Sequence, residues 1–303
     1  MLRLYYNGKM KTGIAGDKNL EGFNLFVKFL RLFSVPILNA LPDAFLQRFM
    51  KNSSHDAEVV LENVGSARAL EVMYGRHRKK IFSHGFFQGI ADFFWHNFVS
   101  QSKGVRNRLK IVENNLEKEI LRIIKQKKEK EINILTIGGG SARGIVETLN
   151  KHSDKLKDWK VLVLNVDKSL KAIELGKELA KEFGLYDNFK WINDLAQNVK
   201  FLVPENSIDI VEMVGLLDYF RDEKSVETFS SIYGILKEGG LFMVGNIVPN
   251  KEQPFISRIG WPNMYYRQPA DLSRLLIESG FLEKNGEIIV EPLKNHIIAV
   301  IRK

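Results

Sequence analysis

Residues 132–140 read Ile-Asn-Ile-Leu-Thr-Ile-Gly-Gly-Gly, and few stretches leave a chain so little choice of structure. Ile132 to Ile137 is a short, apolar, β-branched run, which predicts a buried strand. Gly138, Gly139 and Gly140 follow at once, then Ser141 and a helical pattern from Ala142. Strand, glycine turn and helix together bring backbone close to a ligand. Glycine accepts positive φ and has no side chain to hold the ligand off. The helix start beyond it offers N–H groups that the helix itself leaves unpaired.

The text after this turn alternates. Strands are expected at 132–137, 161–166, 189–193, 207–214, 241–246, 287–291 and 296–302, with helices at 142–151, 169–183, 222–237 and 269–279. That order predicts an α/β fold, a doubly wound sheet with helices on both faces. The link Pro292–Asn295 is too short for a crossover helix, so the last two strands must run antiparallel.

The N-terminal part differs in character. Residues 1–130 carry 23 Lys and Arg against 12 Asp and Glu, a net +11, whereas 131–303 carry 22 against 24, a net −2. This predicts a helical N-terminal cap, 1–130, and a Rossmann-like catalytic domain, 131–303. Residues 1–18 are polar and glycine-bearing, with poor order expected. Leu20, Phe23, Val27 and Leu30 recur at helical spacing, and Pro36 and Pro42 should break that pattern into short helices. Residues 19–50 could thus pack on the main domain or touch a membrane surface peripherally. A helix capped by Ser53, Ser54 and Asp56 is expected over 53–80. Residues 81–103, rich in phenylalanine, suit a core or an apolar pocket. A helix over 104–130 carries Val105, Leu109, Val112, Leu116 and Ile120 as its apolar stripe. Arg106, near its start, could clamp a carboxylate at the mouth of the catalytic domain.

With no cysteine in 303 residues, disulfides, thiolate zinc sites and cysteine nucleophiles are excluded. Six scattered histidines show no metal-binding spacing, so no metal site is expected. No apolar run is long enough to span a membrane, and the first residues lack the pattern of a secretory signal, so the expected location is the cytoplasm.

Asp167 closes the second strand, where a carboxylate can accept hydrogen bonds from both hydroxyls of a ribose. A nicotinamide dinucleotide and S-adenosylmethionine fit that feature equally. Asn193 and Asp194 at the tip of the third strand, and the antiparallel final pair, favour S-adenosylmethionine. Over 131–303 the chain resembles class I S-adenosylmethionine-dependent methyltransferases, with the glycine turn, Asp167, Asp194, Gly215–Tyr219 and Lys237–Asn246 in the expected order. The resemblance implies a seven-stranded sheet with an antiparallel final strand. It implies that Gly138, Gly140 and Ala142 line the methionine and ribose, that Asp167 binds the ribose and that Asp194 binds the adenine, with Gly139, Lys168, Asn193 and Gly215 also at the cofactor. Arg143, Tyr74 and Arg106 are the candidates for holding a carboxylate. The family's usual acid two places before the first glycine is Thr136 here.

A narrower likeness covers about 104–280. RNRLKIV, GLLDYF, VGNIVPN and YYRQPADL resemble stretches of bacterial methyltransferases that form 3-hydroxy fatty-acid methyl esters. It implies an apolar, carboxylate-bearing acceptor whose oxygen is already ionised at pH 7, so that no general base is required. Asp218, Tyr219, Tyr266 and Arg267 are the expected catalytic-side residues, with Asn246 beside them and Arg267 orienting the acceptor carboxylate. Two alternatives stay open: transfer or cyclisation of the aminocarboxypropyl arm, and methylation of RNA through the basic N-terminal region. Against RNA stands the lack of an NPPY-type motif or a known RNA-binding module. A small-molecule acceptor, and a monomer or homodimer, complete the expectation.

Overall fold

A computed structural model describes residues 4–5, 10–74, 85–261 and 263–303. The chain begins with β1 (Leu4–Tyr5) and β2 (Lys11–Ile14). Six helices follow: α1 (Leu25–Ala40), α2 (Asp43–Ser53), α3 (His55–Glu62), α4 (Ala67–Tyr74), α5 (Phe86–Phe98) and α6 (Ser100–Gln126). Then come β3 (Glu131–Ile137), α7 (Arg143–Lys151), α8 (Ser153–Leu156), β4 (Lys160–Asp167), α9 (Leu170–Glu182), β5 (Phe189–Asn193), α10 (Val199–Leu202) and β6 (Ile208–Val214). The chain closes with α11 (Asp222–Ile235), β7 (Leu236–Ile247), α12 (Gln253–Arg258), α13 (Pro269–Glu278), β8 (Gly286–Val290) and β9 (His296–Arg302).

All strands join one sheet in the order β1-β2-β8-β9-β7-β6-β3-β4-β5. The seven from β3 to β9 are the seven expected from the sequence. β9 runs antiparallel to β8, as the short link between them requires, and antiparallel to β7 as well. The two further strands correct an expectation. Within residues 1–18, Lys11 to Ile14 pair in parallel with Glu287 to Val290, and Met10 is buried. Four polar-flanked residues are too few to show a period of their own; the open edge of β8 supplies the ladder.

The helices of the first part also differ from expectation. α1 continues through Pro36 and stops at Leu41, and Pro42 opens α2 instead. Pro36 is exposed, so the carbonyl it leaves without a partner is not trapped in a core. The helix expected over 53–80 is two helices, α3 and α4, parted where Gly65 takes φ +69°. Residues 75–84 lie outside the described set.

Two cores flank the sheet. On one face, Phe229 and Phe281 pack on Phe242 with ring centroids 5.3 and 5.7 Å apart, joined by Leu272 and Leu275. On the other, Val112, Leu116, Ile120 and Ile123 of α6 pack with Ile132, Ile134, Ile145 and Val146. α6 therefore belongs to the sheet along its second half. A third core gathers α2 to α5, the start of α6 and α12 around Leu46, Val60, Trp95 and Phe255. α1 leaves Leu25, Phe26, Phe29, Leu32, Phe33 and Ile37 exposed. Among the described residues no single helix is long and apolar enough to cross a membrane.

If α6 is part of the sheet's own core, Leu116→Ala should lower stability by about 2–5 kcal/mol, read as an earlier urea midpoint at unchanged m-value.

Candidate active site

A cavity of about 390 Å³ opens where β3, β4, β5 and β6 end. It has the size of a small-molecule site and the place expected at the carboxyl edge of such a sheet. The glycine turn forms one wall. Gly138 and Gly140 take φ +63° and +55°. At Gly139 an added Cβ would stand 2.3 Å from Thr136 Oγ1 and 2.9 Å from Asn165 Oδ1. The turn is thus closed to any larger residue.

Gly138, Gly139, Gly140, Ala142, Arg143, Asp167, Lys168, Asp194, Gly215, Tyr219 and Tyr74 all line this cavity. Asp167 Oδ2 accepts from Gly140 N–H at 3.0 Å and Oδ1 from Ser169 N–H at 2.8 Å, which fixes the carboxylate at the tip of β4. Asp194 Oδ1 accepts from Leu195 N–H and Asn198 Nδ2, and these bonds hold its carboxyl below the usual range. Its other oxygen takes no hydrogen bond from the described residues. Asn193 is a correction. It lies outside the lining, and its amide donates to the Asp167 carbonyl at 3.0 Å, bracing the two strand tips.

Arg143 is a second correction. It reaches the cavity wall, yet all three of its guanidinium nitrogens already donate to carboxylates, Nε and Nη2 to Glu71 of α4 and Nη1 to Glu147. Glu71 also accepts from Ser141 Oγ, so it clasps the cap to the glycine turn.

A smaller chamber of about 90 Å³ adjoins the first, sharing Gly65, Ser66, Leu70, Arg108, Gly215 and Tyr219. Apolar side chains of α4, α12 and the following loop line much of it: Ala69, Met73, Ile256, Trp261 and Met264. Its polar members are Arg108, Gln101, Asp218 and His296. Asp218, an expected site residue, is buried; its Oδ1 accepts from Ile247 N–H at 2.7 Å and Oδ2 lies 4.0 Å from Arg108 Nη1. Burial raises its carboxyl above the usual range, against the pull of Arg108. His296 is held well below its ordinary value by burial first and Arg108 second, so it is neutral.

Arg106, Arg267, Tyr266 and Asn246 do not line either space. Arg106 binds Glu21 and the carbonyls of Met73 and His96 inside the cap. Arg108, two positions along the same helix, is turned by roughly 200° and takes the site instead. Arg267 is drawn under the loop after β6 by the carbonyls of Leu217 and Phe220, Asn246 Oδ1 and Asp222. Tyr266 lies beside Ser257.

Glu212, Arg108, Gln101 and His296 also line these spaces, and no motif in the sequence singles them out. For Glu212 a signal was present: one acid inside the otherwise apolar end of β6, Ile-Val-Glu-Met-Val. It lines the larger cavity, accepts from Thr136 Oγ1 and from Val214 N–H at 3.0 Å, and burial pushes it up to about 7. For Arg108 the signal was Val112, one turn on, in the apolar stripe.

A family model described as "Putative methyltransferase" matches residues 66–259. The tRNA 5-carboxymethoxyuridine methyltransferases of Escherichia coli K12 and O157:H7 are each 24% identical over 155 residues, 51% of this chain and 53% of theirs. The chain thus matches about half the length of these curated relatives. Among solved structures, a Bordetella parapertussis protein is similar at 13% identity and TM-score 0.61, over 89% of this chain and 96% of its own. A "putative O-methyltransferase" of Nostoc punctiforme PCC 73102 is similar at 15% identity and TM-score 0.50, over 86% and 71%. These two establish the fold.

Gly139→Ala should fold but bind nucleoside ligands at least about tenfold more weakly, since the new methyl group forces the turn off Thr136. Calorimetric titration with S-adenosylhomocysteine measures this.

Proposed function

The chain belongs to this methyltransferase family, and on that premise we propose that it passes a methyl group from S-adenosylmethionine to a carboxylate oxygen of a small, partly apolar acceptor. One observation carries the choice of acceptor. The smaller chamber holds buried donors that have no partner among the described residues: Arg108 Nε, Gln101 Nε2 and Trp95 Nε1. Buried polar atoms are nearly always paired, so a group of orphaned donors around one space calls for an acceptor-rich anion. A carboxylate supplies four lone-pair sites and matches a guanidinium best.

The larger cavity fits the cofactor by its own residues. Its turn tolerates no Cβ at Gly139, and a fixed carboxylate, Asp167, stands where ribose hydroxyls would donate. When bound, S-adenosylmethionine supplies a methyl group already activated by its sulfonium. What remains for the protein is alignment and exclusion of water. Arg108 borders both spaces and holds the acceptor's charged end. Asp218, pinned by Ile247 N–H, keeps the guanidinium in place from behind. Trp261, Met264, Ile256 and Met73 receive the apolar part. Neutral His296, with both ring nitrogens unpaired among the described residues, suits a hydroxyl close to the carboxylate. That pairing of groups is the one in a 3-hydroxy fatty acid.

A second reading rests on the tRNA methyltransferase relatives, whose printed name concerns a uridine bearing a carboxymethoxy group. The net +11 of residues 1–130 is compatible with it. The experiment is incubation with S-adenosylmethionine and either 3-hydroxy acids of rising chain length or unmodified and carboxymethoxy-bearing tRNA, followed by mass analysis. A methyl ester of the small acid with S-adenosylhomocysteine is expected; turnover with tRNA alone sinks the small-acceptor reading, and methylthioadenosine sinks methyl transfer itself. Arg108→Lys, which keeps the charge but loses the fork, should lower kcat/KM for the acid by about 10- to 100-fold.

We also propose that the exposed face of α1 rests on an anionic lipid surface, from which an apolar acceptor would be drawn. Leu25, Phe26, Phe29, Leu32, Phe33 and Ile37 are its apolar contacts, and Lys28, Arg48 and Lys51 are exposed on α1 and α2. Vesicles of mixed neutral and anionic phospholipid should pull the protein down, and Phe29→Ser/Phe33→Ser should abolish this. Equal recovery on purely neutral vesicles, or a dimer that buries the face, would overturn it.

A further inference from the structure

Three carboxylates line the larger cavity: Asp167, Asp194 and Glu212. Two are already occupied in ways that suit a nucleoside's neutral donors. Asp167 accepts two backbone N–H groups, and Asp194 caps the turn after β5. Glu212 is different. It stands one strand over from the glycine turn, in direct register with Thr136. Its oxygens accept from the Thr136 hydroxyl and from Val214 N–H, both neutral donors. The one cation near it among the described residues, Arg108, is divided among Tyr74 of α4, Asp218 and Glu212 itself. A carboxylate enclosed in a ligand cavity without a full counter-charge calls for a cation from the ligand.

S-adenosylmethionine carries one primary ammonium group, on its methionine arm. We propose that Glu212 binds this ammonium, so that the neighbouring strand β6 supplies the acid that position 136 of β3 lacks. Thr136 then contributes directly, because its hydroxyl fixes the Glu212 carboxylate at the edge of the turn. The inference rests on the cofactor reading above and extends it to a residue that neither the family match nor the sequence motif assigns. An ammonium ligand favours the ionised carboxylate. The free group is pushed up to about 7 by burial, so the bound form must titrate lower. Binding is then strongest above that pH and weakens as pH falls through it. The groups facing Glu212 are Thr136 on β3, Arg108 on α6 and Tyr74 on α4; neither Arg108 nor Tyr74 changes charge in that range, since both are raised above ordinary values that already lie well beyond it.

The test compares two ligands by calorimetry: S-adenosylhomocysteine, which has the amine, and methylthioadenosine, which lacks the whole arm. In the unaltered protein the affinity for S-adenosylhomocysteine should fall up to about tenfold per unit as pH drops below about 7, while methylthioadenosine stays flat. Glu212→Gln should weaken S-adenosylhomocysteine by about tenfold or more at pH 8 and leave methylthioadenosine within about twofold. The exchange Thr136→Glu/Glu212→Thr should restore much of the preference. Equal losses for both ligands, no loss for either, or a flat pH profile overturns the proposal. If Glu212→Gln does not fold, the pH profile of the unaltered protein decides alone. Failure of that protein to bind either ligand would instead sink the cofactor reading, and this inference with it.

Discussion

A buried guanidinium has to be answered on every side, and Arg108 is where this molecule meets that demand. Its neighbours are Tyr74 of the cap, Glu212 at the end of β6, Asp218 in the loop beyond and neutral His296 at the start of β9. Those groups come from five separate elements, counting α6 itself. Removing the cation would leave enclosed carboxylates uncompensated, which costs far more than a surface pair. The two spaces meet at this side chain, so the charge that holds the interior together also marks the boundary between them.

The glycine turn sets a complementary limit. At Gly139 the nearest atoms are Thr136 and Asn165, so the turn is pressed against the strands that carry it. Thr136 in turn leans on Glu212. A substitution at one position of β3 is therefore felt on β6, and the departure at Thr136 ceases to be an isolated oddity. The glycine turn after β3 and Glu212 of β6 line one cavity together, because register places the two strand ends side by side.

Much of this was legible in the sequence. The strand-turn-helix at 132–151, the alternation after it and the short 292–295 link are local signals, and local signals survive folding. Asp167 and Asp194 stand out because strand tips are readable positions, and both line the larger cavity. What failed depends on rotation or on distance. Arg106 and Arg108 differ by two residues, and only the helix phase tells which faces the cavity. Arg143 and Arg267 look free in a sequence, but Glu71 and Asp222, far away in the chain or across a loop, claim them. Asn193 sits in a readable place and still turns its amide to the backbone. β2 could not be seen because its only signal is the edge of β8.

The clasp of Glu71 on Arg143 and Ser141 ties the cap to the sheet by charge rather than by apolar packing. It bridges α4 to the first turn of α7 across the rim of the larger cavity, and Ala67 stands 3.1 Å from where a side chain on Gly140 would begin. Both partners keep some contact with water, so dissolved salt screens this pair. High ionic strength should therefore loosen the tie between α4 and the glycine turn well before it disturbs the apolar sheet beneath.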